Sequence, residues 1–266
     1  MKIELRSLGV RFHTGTHAAQ DVNLTIEAGE FVAIVGPSGC GKSTVLNAIA
    51  SLIPESEAVV EGGIFLNGTE RSRLSARDLN LGYVFQRDCL LPWRTIADNV
   101  STGLEIRDVP APERQARVAE LLTMTGLTDF ANYFPYQVSG GMRQRISLIR
   151  TLAYHPDVIL MDEPFGALDA HTRMTLHAEL IRIWERTHST IIFVTHDLSE
   201  AITLAQRVIV FSRRPGRIRA DYRIDIPYPR DPFEVRGMEL FGKLETRIWQ
   251  TLRQEFDTTI SEVARP

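Results

Sequence analysis

Four short apolar runs punctuate the chain, at residues 31–35, 158–161, 191–194 and 208–211. Each is too short for a helix and none alternates with polar residues, so each reads as a strand buried on both faces. Residues 81–85 make a fifth. The segments between the runs carry helical patterning, and strands alternating with helices predict an α/β fold with a parallel sheet covered by helices. The N-terminal stretch differs: Ile3-Leu5, Val22-Leu24-Ile26 and Ile64-Leu66 alternate with polar residues at the period of half-exposed antiparallel strands. A small N-terminal antiparallel β-lobe leaning on the parallel core is expected.

From about residue 95 to 153 the pattern is helical, with one helix over 113–124 bounded by Pro112 at its start and Gly126 at its end. This predicts a helical lobe, at about 90–153, inserted ahead of the strand at 158. Beyond Arg213-Arg214-Pro215-Gly216 and Pro227, Pro229 and Pro232, the side chains of Phe241, Leu244, Ile248 and Leu252 fall on one helical face, as in a closing helix packed on the core. The expected division is a cassette over 1–233 and a C-terminal helical tail over 234–266.

Charge and cysteine content narrow the classes. The 266 residues carry 30 Lys plus Arg against 33 Asp plus Glu, a formal net charge of -3. That balance removes the electrostatic case for a nucleic-acid partner, which needs a local excess of base to displace counterions. Two cysteines, Cys40 and Cys89, give neither a disulfide framework nor metal-ligand spacing and point to a reducing compartment. The start of the chain has no apolar signal region and no run of 18 uncharged apolar residues occurs. Cytoplasmic residence is expected, with any membrane role exercised through a partner.

Chemistry enters at Gly36-Pro37-Ser38-Gly39-Cys40-Gly41-Lys42-Ser43, followed by Thr44, directly after the apolar run at 31–35 and ahead of a helical run over 44–52. In such a P-loop the glycines allow a tight turn whose amides, with the helix N-terminus, hold phosphate oxygens; the lysine reaches the β- and γ-phosphates and the Ser43 hydroxyl coordinates Mg²⁺. By average composition the string arises by chance in about one chain of this length in a hundred. Only Lys2, Lys42 and Lys243 are lysines among the 30 basic residues. One of the three thus stands where a compact charge on a flexible stem is needed and the arginine fork is unsuitable.

Asp162 and Glu163 follow the strand at 158–161, at the carboxyl edge where parallel sheets place ligands. An aspartate there can hold Mg²⁺ through water, and the adjacent carboxylate can deprotonate an attacking water. Gln86 and His196 follow two further strands at the same edge, within expected reach of a γ-phosphate. Ser139-Gly140-Gly141-Met142-Arg143-Gln144-Arg145 reads as an N-cap serine and two glycines opening a helix that runs to Leu152, a second helix start suited to an anion. Cys40, inside the P-loop just ahead of a helix, is expected to have a lowered thiol pKa and to be reactive.

Taken together, residues 36–43, Gln86, Ser139 to Met142, residues 158–163, Ala167-Leu168-Asp169 and His196 resemble, in order and spacing, the ATP-binding cassette (ABC) ATPase family over about residues 1–212. The resemblance implies a RecA-like P-loop NTPase core and a head-to-tail homodimer with two ATP at its interface. It makes Ser139, Gly140 and Gly141 ligands of the γ-phosphate held by the other subunit, Gln86 the residue sensing Mg²⁺ and the membrane partner, and Asp162 a metal ligand. Glu163 becomes the catalytic base, Asp169 the aspartate of the loop that follows it, His196 the switch histidine and Phe12 the aromatic stacked on adenine. Met142 departs from the family's commoner glutamine. Leu90-Leu91-Pro92-Trp93-Arg94-Thr95 and Gly103-Leu104-Glu105-Ile106-Arg107 are similar to bacterial importer ATPases of the nitrate, sulfonate and taurine type. Those work at the cytoplasmic face of the cell membrane with a separate permease and a periplasmic or extracellular solute-binding protein.

The resemblance also puts the groove for the permease's coupling helix near Trp93, whereas a core anchor for the helical lobe would use the same residue. Soluble ABC ATPases acting on ribosomes carry two cassettes and those acting on DNA a long coiled coil, neither of which fits the 95 residues from Lys42 to Gln137. An exporter subunit or an iron–sulfur assembly ATPase is an alternative, and a small-molecule kinase would have no need of Ser139 to Gly141.

Overall fold

The apolar runs fold as strands of one sheet. In the computed structural model, which describes residues 1–73, 80–166 and 168–263 (without the side chains of 73 and 256–263), the chain runs β1 (Ile3–Phe12), β2 (His17–Ile26), β3 (Phe31–Val35), α1 (Lys42–Ile49), β4 (Ala58–Leu66), β5 (Thr69–Glu70) and β6 (Leu81–Val84). It continues through α2 (Ile96–Ile106), α3 (Ala111–Met124), α4 (Gly140–Leu152), β7 (Val158–Asp162), α5 (Ala170–Thr187), β8 (Thr190–Val194), α6 (Leu198–Leu204), β9 (Arg207–Phe211), β10 (Ile218–Arg223) and α7 (Glu239–Val263).

The larger sheet has the order β10-β9-β3-β8-β7-β6, parallel throughout except for β10 at its edge. Every residue of β3 and β8 is buried, as uninterrupted apolar strands require. β6 stops at Val84, one residue short of the expected run, and Phe85 turns out to stack on Tyr83 with ring centroids 4.2 Å apart. The helix after the P-loop is also shorter than its pattern, ending at Ile49.

The alternating N-terminal segments form an antiparallel sheet, β2-β1-β4-β5. Its inner face, through Leu8, Val22 and Ile26, shares one apolar cluster with Ile34, Leu160 and Val194 of the parallel sheet and with Val45 and Leu46 of α1. The other face of the parallel sheet is covered by α5, α6 and α7, and Phe241, Leu244, Ile248 and Leu252 of α7 are buried there. A third cluster joins α2, α3 and α4. Here α3 carries Pro112 in its first turn, and Gly126, at φ +67°, follows its end. α4 is two-faced: Ile146 and Ile149 pack in the lobe, whereas Leu148 and Leu152 belong to the main core.

Arg230, 4% exposed, fastens the segment leading to α7. Its guanidinium donates to the carbonyls of Ile202 (2.8 Å), Ala205 (2.8 Å) and Thr203 (3.3 Å) at the end of α6, and to Ile224 (3.3 Å) and Ile226 (2.7 Å) on its own segment. Tyr228 stacks on it at 4.1 Å and donates to the Leu204 carbonyl at 2.7 Å. Helix ends leave such carbonyls without intrahelical donors, and a cation suits that end of the dipole. Arg230→Ala strands these acceptors and should lower the unfolding free energy by about 3 kcal/mol or more in urea titrations. A loss under about 1 kcal/mol would mean that the carbonyls find other donors.

Candidate nucleotide site

The carboxyl ends of β3, β6, β7, β8 and β9 lie along one edge of the sheet, and the loops after them build the site. Two glycines of the loop after β3 have no substitute. A Cβ on Gly36 would stand 2.9 Å from the Phe211 carbonyl, and Gly41, at φ +106°, would drive one into the Ala18 carbonyl. The loop closes over Lys42, which is 5% exposed and whose Nζ donates to the carbonyls of Gly36 (2.8 Å) and Pro37 (3.0 Å). The ammonium is thus parked on the loop's own oxygens, with its charge under the turn.

The Ser43 hydroxyl donates to Asp162 Oδ1 at 2.7 Å, joining the start of α1 to the end of β7. Burial pushes the Asp162 carboxyl above its usual range; the Glu163 charge adds to this, while the Ser43 hydroxyl and Lys42 oppose it. Glu163 holds φ +45°, an uncommon conformation for a side chain of its size, with its N–H donating to the Val194 carbonyl at 2.9 Å. That backbone bond ties it to the end of β8, and its Oε2 lies 3.0 Å from Nδ1 of the exposed His196.

A cleft of about 540 Å³ opens over these groups. Phe12, Gln86, Asp162 and Glu163 line it together with Ser38, Gly39, Gly41, Lys42, Ser43 and Thr44. Gly36, Pro37 and Cys40 do not line it, and Gly36 and Cys40 are buried beneath the loop. Ser139, Gly140, Gly141 and Asp169 are not brought to this cleft. Ser139 caps α4, its Oγ accepting the Met142 N–H at 3.3 Å, and Asp169 caps α5, accepting the Thr172 N–H at 3.0 Å. The two helix starts lie side by side, since a Cβ on Gly141 would sit 2.8 Å from the Thr172 methyl. They form a separate exposed edge; Ala167, between the two motifs, lies outside the described residues.

Four lining residues have no counterpart among the sequence candidates: Thr14, Thr16, Ala18 and Arg214. Arg214 stands in the turn between β9 and β10 and donates through Nε and Nη2 to the Gly39 carbonyl, at 3.0 and 2.8 Å. The available signal was Arg213-Arg214-Pro215-Gly216 directly behind a strand of the parallel sheet, at the same carboxyl edge as the P-loop.

Among the described residues no three His, Cys, Asp or Glu side chains gather as a metal-ligand cluster. A cation here would use the Ser43 hydroxyl, one or two carboxylate or amide oxygens and phosphate oxygens, the sparse hard-oxygen set that suits Mg²⁺ and not a softer metal.

A family model described as ABC transporter matches residues 19–166. The chain belongs to the ABC transporter family. This ABC protein is 46% identical over 253 residues to a taurine import ATP-binding protein of Rhizobium johnstonii, covering 93% of each chain. Against an aliphatic sulfonates import ATP-binding protein of Bacillus licheniformis it is 38% identical over 248 residues, covering 92% of this chain and 89% of the other. Its fold matches a solved dimeric ATP-binding cassette in a post-hydrolysis state bound to ADP and Pi, with a TM-score of 0.73 at 32% identity, over 85% of this chain and all of that one. As an ABC ATPase the protein binds and hydrolyses ATP, and no helix among its described residues is long and apolar enough to cross a membrane.

Cys40 departs from its expectation. It is 1% exposed, packed among Gly36, Phe211 and Lys42, and burial pushes its thiol up despite the neighbouring ammonium. A buried, protonated thiol is a poor nucleophile. Maleimide should therefore modify the native protein at the exposed Cys89 alone, with Cys40 reacting only after denaturation. Mass spectrometry of tryptic peptides checks this, and prompt native labelling of Cys40 would contradict it.

Proposed function

We propose that the protein is the ATPase subunit of an importer, hydrolysing ATP in the cleft beside Lys42 and Glu163 to drive uptake of a solute through a separate membrane permease. The observation that carries this reading is the pairing of Glu163 with His196 next to the Ser43–Asp162 hydrogen bond, at the mouth of a P-loop. The P-loop amides and Lys42 bind the phosphates, and Phe12 stacks on the base. Ser43, Asp162 and Gln86 would hold Mg²⁺, which would supply charge neutralisation at the β- and γ-phosphates. Glu163 accepts the proton of the attacking water, and His196, fixed on its carboxylate, holds it in place.

The exposed edge formed by Ser139, Gly140, Gly141 and Asp169 lacks a ligand in its own chain's cleft. In a head-to-tail homodimer that edge faces the partner's nucleotide, so each ATP is enclosed by two subunits. The import direction rests on relatives named for taurine and aliphatic sulfonate import, which also supports a periplasmic or extracellular solute-binding protein as an indirect partner and residence at the cytoplasmic face of the membrane.

The loop between Gln86 and α2 supplies the contact with the permease. Asn99, fully buried, accepts the Leu91 N–H at 2.8 Å and donates to the carbonyls of Leu91 and Arg94 at 3.1 Å, so the loop is a fixed scaffold. Trp93 projects from it 72% exposed, which rules out its use as a core anchor and leaves a large apolar ring available for docking.

Glu163→Gln should keep ATP binding but lower turnover about 10²-fold or more, and accumulate as an ATP-bound dimer in size-exclusion chromatography. Lys42→Ala should instead lose ATP affinity, since it removes charge-assisted bonds. Near-normal phosphate release from Glu163→Gln at saturating ATP would refute the assignment of the base. Trp93→Ala should leave the thermal midpoint unchanged and weaken capture of the co-expressed permease roughly 30-fold or more, the scale of a 2 kcal/mol interface residue.

A further inference from the structure

The Glu163–His196 pair spans two separate stretches of chain, the loop between β7 and α5 and the turn between β8 and α6, and both are held by Arg173 in the first turns of α5. We propose that Arg173 is a positioning residue for ATP hydrolysis, locking those two stretches together so that His196 stays on the Glu163 carboxylate. The proposal rests on the reading of Glu163 and His196 as the hydrolytic pair.

The guanidinium donates two hydrogen bonds and lies beside a second carboxylate as an ion pair, its Nε making no hydrogen bond. Nη2 donates to the Leu168 carbonyl at 2.9 Å, in the loop that Glu163 begins. Nη1 donates to Asp197 Oδ2 at 3.4 Å, and Nε lies 3.5 Å from Glu200 Oε1. Asp197 is the residue after His196 and caps α6, accepting the N–H groups of Ser199 at 2.8 Å and Glu200 at 3.2 Å. Thr195, the residue before His196, donates to Glu200 Oε2 at 2.6 Å and accepts the Asp197 N–H at 3.0 Å. Both neighbours of His196 are thus bound into one polar knot whose cation is Arg173.

The knot is mostly dry. Glu200 is 3% exposed and His177 1%, with the His177 Nε2 3.7 Å from Glu200 Oε1 and its ring edge-on to Phe165, 4.9 Å between centroids. Phe165 lies two residues beyond Glu163, so the loop is tied to the knot at Leu168 by a hydrogen bond and at Phe165 by packing. A buried carboxylate is expensive unless paired, and its retention here is understandable if it fixes geometry instead of merely adding stability. Arginine is the suitable cation because a planar fork can address a carbonyl and two carboxylates at once, which an ammonium on a flexible stem does not do with the same precision.

Single-turnover and steady-state ATPase assays on the full-length protein test this, with ATP affinity and thermal midpoint measured on the same preparations. Arg173→Ala should lower kcat about 10-fold or more while KM and ATP affinity stay within about 3-fold, because the phosphate-binding loop is untouched. Arg173→Lys keeps the charge but not the fork and should recover only part of kcat; it also keeps the test open if the alanine variant does not fold. The decisive measurement is the double variant with His196→Ala. If Arg173 acts through His196, either Arg173 substitution should cost no more than about 3-fold further once His196 is gone. Fully multiplicative losses, or a fall in ATP affinity matching the fall in kcat, would overturn the proposal. Failure of the underlying reading looks different: Glu163→Gln and His196→Ala would then themselves keep near-normal turnover, whatever Arg173 does.

Discussion

Parallel pairing of five strands is the constraint from which the rest of the molecule follows. With β6, β7, β8, β3 and β9 running the same way, the residues after Val84, Asp162, Val194, Val35 and Phe211 emerge along one edge. Glutamine, carboxylates, histidine, phosphate loop and Arg214 come from stretches as far apart in sequence as Gly36 and Arg214, and no local signal could gather them. The sheet does so because its strands are apolar on both faces and must be covered by helices on one side and by the β-lobe and α1 on the other. The polar loops are left at the strand ends. The Ser43–Asp162 hydrogen bond then fixes the spacing between two of those loops.

How much of this could be read from the sequence depended on where each residue's partners lie. The strands at 31–35, 158–161, 191–194 and 208–211, and the buried stripe of α7, were legible because burial on a regular element leaves a periodic trace. Ser139 as a helix cap was legible for the same reason, since its partner is three residues away. Cys40 was misread because it is buried within the apolar cluster that includes Phe211 of β9, beside a lysine folded back beneath the loop, whereas sequence proximity to a helix start suggested a lowered pKa and a reactive thiol. Trp93 left two readings open, as an apolar residue in a loop is compatible with either burial or display until its neighbours are placed.

The arginines were the least legible group, and their number has a structural meaning. Besides Arg230, Arg214 and Arg173, Arg150 donates to the carbonyls of Cys89 (2.6 Å) and Asp88 (2.9 Å), and Arg143 to that of Val138 (2.9 Å). In each case a guanidinium ties down backbone carbonyls, some nearby, as Val138 is for Arg143 and Leu168 for Arg173, and some distant, as Cys89 is for Arg150 and Gly39 for Arg214. Carbonyl oxygens are present at every residue, so a sequence carries no mark of which ones an arginine will seek. Lysine is used sparingly by contrast, and Lys42 is the one whose point charge is folded onto the loop oxygens of Gly36 and Pro37, where, on the proposed function, it would turn to a phosphate.

The two-faced packing of α4 makes this helix a lever. Its C-terminal half is clamped between the lobe and the main core, while its N-terminal end carries Ser139 on the exposed edge. A helix of this length extends about 20 Å, so a pivot of roughly 5° about the clamped end swings the serine by nearly 2 Å. That displacement exceeds the tolerance of a hydrogen bond. Small rotations at the buried end, around Leu148 and Leu152, would thus reposition a serine that sits at the far, exposed end of the helix.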